Sequence, residues 1–87
     1  MNMTWDDNTR KMFNQLIEKT PVFIREMVKE KVSARAEAFA KENGKAQISE
    51  KDMVDAFFKE TPGGFWGPLT IDMEEIGLNY EQYGHKL

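Results

Sequence analysis

Apolar residues recur at helical spacing through most of the chain. Near the N-terminus, Trp5, Met12, Phe13, Leu16 and Ile17 fall three and four positions apart, with Asn8, Arg10, Lys11 and Asn14 between them. Thr4 followed by Asp7 has the spacing of a capping box, and two acids suit the positive end of a helix, so the pattern predicts a first helix over 5–18. Thr20-Pro21 comes next. Proline at the first helical position gives up no hydrogen bond, and neither Gly nor a further Pro appears before Gly44. One unbroken helix is therefore expected over 21–43, with Ile24, Val28, Val32, Ala36, Phe39 and Ala40 on its apolar face and Gly44 as its left-handed stop. Lys45-Ala46-Gln47-Ile48 reads as extended. Ser49 with Asp52 then opens a third helix over 50–60, carrying Met53, Val54, Ala56, Phe57 and Phe58.

Thr61-Pro62-Gly63-Gly64 ends that helix, because proline disfavours a helical residue before it and glycines weaken continuation. Phe65-Trp66-Gly67-Pro68-Leu69-Thr70 is apolar and punctuated, 71–76 predicts a short acidic helix closed by Gly77, and 79–83 a further turn. The expected architecture is all-α: a three-helix domain over 1–60 organised by its long central helix, and an aromatic, acidic C-terminal extension over 61–87 that packs back on the helices. No internal repeat or low-complexity run is expected.

Composition narrows the function. A chain of 87 residues, 40% hydrophobic and 31% charged, makes one small globular module, too short for two-lobed cofactor enzymes. It has no cysteine, which excludes disulfides, thiolate metal or cluster ligation and thiol nucleophiles, and makes the cytoplasm the default compartment. Neither a signal-peptide pattern nor a run of eighteen apolar residues occurs, so no membrane association is expected. The net charge of −3 comes from the tail, where one lysine stands against Asp72, Glu74, Glu75 and Glu81. Balanced charge elsewhere argues against nucleic acid as a partner.

Candidate chemistry is sparse. The tail acids and His85 lack metal-ligand spacing, and neighbouring carboxylates such as Glu74 and Glu75 point about 100° apart on a helix. Gly63-Gly64-Phe65-Trp66-Gly67 follows a helix and lacks the Lys-Ser/Thr of a phosphate loop, and no Ser-His-Asp arrangement is evident. No catalytic, cofactor-binding or metal residue is assigned, and no cofactor is expected. The candidate partner surface consists of Arg25, Lys29, Phe65 and Trp66. Phe65 and Trp66 either close the core or present an aromatic contact, with core closure the first expectation. Arg25 and Lys29, with Arg35, either form an anion patch or pair with Glu26 and Glu30 on a solvated face.

Trp5, then Pro21-Val22-Phe23-Ile24-Arg25, Glu37, Ala40, Gly44, Ile48-Ser49-Glu50 and Ala56 resemble, in that order, the small C-terminal domain of the B subunit of light-independent protochlorophyllide reductase. The resemblance covers about 4–58. It implies a helical accessory domain beside an oxidoreductase assembly of chlorophyll biosynthesis, with a reductase or electron-transfer subunit as protein partner and no catalytic residue in this chain. Trp5, Pro21, Phe23, Ile24, Arg25 and Gly44 are expected to serve packing and capping. Helix, strand and helix over 38–52 also resemble half of a histone fold, which implies a homodimer formed through the long central helices.

Overall fold

The computed structural model describes residues 3–86. The chain begins with a two-residue strand, β1 (Thr4–Trp5), followed by α1 (Asp7–Lys19). A 3₁₀ turn at Val22–Ile24 leads into α2 (Arg25–Glu42), and β2 (Gln47–Ile48) into α3 (Glu50–Glu60). A second 3₁₀ turn at Gly63–Phe65 leads into α4 (Trp66–Glu75), and a third, Tyr80–Tyr83, is the last element described. β1 and β2 pair in parallel, Thr4 with Gln47 and Trp5 with Ile48. The domain is mostly helical, as the apolar periodicity predicts, with a fourth helix in place of the short acidic one expected over 71–76.

Two helix starts differ from expectation. Thr4 and Trp5 are recruited into the parallel pair, so α1 starts at Asp7 and its cap is Asp6, whose carboxylate accepts from the Thr9 amide at 3.1 Å and hydroxyl at 2.9 Å. The expected rod over 21–43 is not continuous. Pro21 lies in extended backbone (φ −52°, ψ 136°), the next turn is 3₁₀, and Ile24 at φ −116°, ψ 1° separates it from α2. At α3 the capping box of Ser49 and Asp52 forms as predicted. Asp52 is buried, and its oxygens meet the Ser49 amide at 3.0 Å, the Ser49 hydroxyl at 2.9 Å and Lys45 Nζ at 3.4 Å.

The fold also contains an internal repeat, where none was expected. Each half runs strand, helix, Thr-Pro corner, 3₁₀ turn, helix, glycine. Residues 12–25 align with 53–66 without a gap, placing Met12 on Met53, Leu16 on Phe57, Ile17 on Phe58, Thr20-Pro21 on Thr61-Pro62, and Ile24 on Phe65. The corners share their backbone path: Pro62 lies at φ −57°, ψ 142° and Phe65 at φ −109°, ψ 8°. Each is closed by an amide bonded to the proline carbonyl, Ile24 to Pro21 at 3.1 Å and Phe65 to Pro62 at 2.8 Å. The residue before each threonine reaches the second helix of the other half, Lys19 to Glu75 at 3.3 Å and Glu60 to Arg35 at 2.8 Å, with the charges exchanged. Only Met, Thr and Pro are identical across these fourteen positions, which hides the repeat from a residue-by-residue scan.

One core serves both halves. Met12, Phe13, Leu16 and Ile17 of α1 meet Val32, Ala36 and Ala40 of α2, Met53, Val54, Ala56, Phe57 and Phe58 of α3, and Met73, Leu78 and Tyr80 beyond. The expected apolar faces of α1 and α3 are thus buried; on α2, Ile24, Val28 and Phe39 are only partly covered. α2 and α4 both end in Schellman motifs: Lys45 and Gly44 amides bond Ala40 and Lys41 carbonyls, and Leu78 and Gly77 amides bond Met73 and Glu74 carbonyls. Gly44 and Gly77 hold φ of +68° and +77° in open space, where an added methyl group would meet no neighbour. Gly44→Ala and Gly77→Ala should therefore each cost about 1 kcal/mol through backbone conformation alone, read as equal drops in urea-unfolding free energy.

Candidate interaction surface

Arg25 and Trp66 occupy the same position in the two halves, five residues after the corner threonine. Arg25 donates through Nε and Nη2 to the Thr20 carbonyl at 3.2 and 3.0 Å, and through Nη2 to the Glu18 carbonyl at 2.8 Å. Trp66 donates its indole Nε1–H to the Thr61 carbonyl at 2.8 Å. Both side chains thus satisfy carbonyls that the end of the preceding helix leaves without an amide. Capping accounts for Arg25 and engages the guanidinium that an anion patch would need. Arg35 is also engaged, with Glu60 and over the Phe39 ring at 5.9 Å. Arg25, Lys29 and Arg35 consequently form no shared cationic surface.

The other candidates separate. Trp66 is half-buried, its ring edge-on to Phe58 at a 5.5 Å centroid distance, whereas Phe65 beside it is 64% exposed. Core closure thus describes Trp66 and not Phe65. Lys29 is exposed and lines a cleft of about 550 Å³ with Trp5, Arg10, Ser33 and Glu37, between α2 and the start of α1.

Phe23 does not serve packing: it is 89% exposed, with Val22 at 77% and Met27 at 50% close by on the same corner and the first turn of α2. This apolar corner was not among the sequence candidates, because a continuous helix over 21–43 would have given Val22 and Phe23 ordinary helical neighbours. The signal that finds it lies in the repeat. At the equivalent positions the second corner carries Gly63 and Gly64, so the same backbone turn forms without those side chains.

The C-terminal segment after Gly77 has no counterpart in the first half and straps across α3. Tyr80 donates to Glu74 at 3.1 Å, the Tyr83 hydroxyl to Glu50, and Gln82 to Glu50 at 3.3 Å. His85 lies flat on Phe58, with ring centroids 4.2 Å apart and planes within 3°, and its Nε2 is 2.6 Å from Asp55 Oδ1. Strap, corner and α3 border a shallow open groove lined by Phe39, Lys51, Asp55, Phe58, Lys59, Thr61, Trp66, Tyr83 and His85. Among the described residues no group of three or more His, Asp or Glu side chains is placed to hold a metal ion. No described helix is long and apolar enough to cross a membrane.

A family model described as a protein of unknown function, DUF2621, matches residues 1–87, and the chain belongs to that family. No curated protein and no solved structure matches.

Two outcomes follow from the side-chain caps and the strap. Trp66→Phe keeps most of the ring contact and loses the bond to Thr61, and should cost about 1 kcal/mol in urea unfolding; Trp66→Ala should cost about 3 kcal/mol. Burial and the bond to Glu50 hold the Tyr83 phenol above its ordinary value. Because the folded state binds that proton more tightly, this contribution is complete below about pH 10 and falls as pH rises beyond it. Tyr83→Phe should be less stable than the parent at neutral pH and show a shallower decline above pH 10, read from urea midpoints across that range.

Proposed function

We propose that this chain is a non-catalytic accessory module that binds a protein partner through the apolar corner of Val22, Phe23 and Met27. The observation that carries it is the 89% exposure of Phe23 at a turn whose twin is built from two glycines. A large aromatic held in water without a packing duty raises solubility risk, and contact with a partner offsets that cost. The run Pro21-Val22-Phe23-Ile24-Arg25 that presents the corner is also the run that resembles the reductase domain. A reductase or electron-transfer subunit is therefore the partner class to test first.

The histone-like alternative has less support. Val32, Ala36 and Ala40 of the long helix are already buried within a single chain, and β2 already pairs with β1 of the same chain. A dimer built through the central helices would need those surfaces free.

A photo-crosslinking side chain placed at exposed Glu26, in cells that produce the protein naturally, should capture one dominant protein. Phe23→Ser should abolish that capture while shifting stability by less than about 0.5 kcal/mol, as expected for an exposed side chain. Equal capture by the variant would overturn the proposal. A crosslinked product composed of two copies of this chain would replace it with self-association.

A further inference from the structure

The corner that carries Phe23 also carries a solvent-accessible thioether. The 87 residues hold six methionines and no cysteine, so thioethers are the groups in this chain that a peroxide oxidises most readily. The fold treats the described methionines very differently. Met12, Met53 and Met73 are buried in the core, and Met3 is packed partly against it. Met27 is half exposed on the first turn of α2, beside Val22 and Phe23. The repeat sharpens the contrast: Met12 and Met53 are equivalent core positions, whereas the position equivalent to Met27 is Pro68, which has no sulfur.

We infer that Met27 is a site of reversible oxidation by hydroperoxides, and that its sulfoxide releases the partner of the Phe23 corner, given the partner surface proposed there. The step is a two-electron oxygen transfer. A lone pair on Met27 Sδ attacks one oxygen of hydrogen peroxide, the O–O bond breaks and an S–O bond forms. The proton of the transferred oxygen passes to the departing hydroxide, so the sulfide is oxidised to a sulfoxide and the peroxide is reduced to water. A dithiol-dependent sulfoxide reductase reverses it, returning the oxygen as water while the dithiol becomes a disulfide. The sulfoxide is polar where the thioether was apolar, and the corner presents only three apolar side chains, so the loss of one weakens the contact. A bound partner covers Met27. Oxidation therefore acts on the free chain and blocks rebinding.

The full purified chain is treated with dilute hydrogen peroxide, and its methionine-containing peptides are followed by mass spectrometry. Met27 should gain oxygen about tenfold faster than Met12, Met53 or Met73, and urea should erase the difference. Cells that naturally produce the protein, carrying the crosslinking side chain at Glu26, are then exposed to hydrogen peroxide before irradiation. Capture by the parent should fall on the order of fivefold. Capture by Met27→Leu, which keeps the apolar volume without an oxidisable sulfur, should stay at its untreated level. Oxidation of Met27 no faster than that of Met53 would overturn the inference. So would an equal fall in the parent and Met27→Leu, or undiminished capture by a parent whose Met27 is oxidised. Those three results leave the Phe23→Ser comparison in untreated cells intact as the test of the corner itself. Equal capture by untreated Phe23→Ser would instead remove the partner surface, and the release of a partner with it, while the selective oxidation of Met27 would stand.

Discussion

The seam between α2 and α3 holds the rest in place. On α2 the buried positions are Val32, Ala36 and Ala40, small residues one helical turn apart, and on α3 they are the much larger Met53, Phe57 and Phe58 together with Val54 and Ala56. Small side chains on one helix let the other approach closely, and large ones fill the space between them. Burial is nearly complete, since Ala36, Ala40, Met53 and Ala56 expose no surface. Ser49 and Asp52 fix where α3 starts, and the Lys45 ammonium balances the buried carboxylate at that start. A chain of this size buries a modest fraction of its unfolded surface, so loss of this seam would leave α1 and α4 without a common support.

The repeated corner gives the small domain its economy. Thr-Pro forces extended backbone at the end of one helix, a 3₁₀ turn reverses the direction, and a side-chain N–H five residues after the threonine returns to its carbonyl. Arg25 and Trp66 perform that last step with different chemistry, one by a charged fork and the other by an indole. The same equivalence explains why their surroundings diverge. The arginine corner projects Val22 and Phe23 into water, whereas the tryptophan corner has no side chains at Gly63 and Gly64 and instead joins an open aromatic groove bordered by the strap. One turn geometry thus carries two different surfaces.

Helix three was fully legible in the residues, because its cap, apolar spacing and terminator all lie within a short segment. So was the glycine stop of the central helix. The first helix was misplaced at its start because Trp5 obeys helical spacing, yet pairing with Ile48 draws it into a strand; that partner lies far away in sequence. Pro21 was compatible both with a first helical position and with a corner, and local preference alone does not distinguish them. Of the four candidate surface residues, Phe65 and Lys29 are exposed, while Arg25 and Trp66 are engaged in caps whose acceptors become visible only when the chain has turned.

What the sequence by itself determined is the helical class, the buried faces of α1 and α3 and the capping box at Ser49. These depend on spacing, local hydrogen bonding and composition. Only the tertiary structure decided that Phe23 stands in water, that Lys19 and Glu60 clasp opposite halves, and that His85 lies on Phe58 against Asp55. Each of those depends on which distant segments meet, and periodicity along a chain carries no information about that.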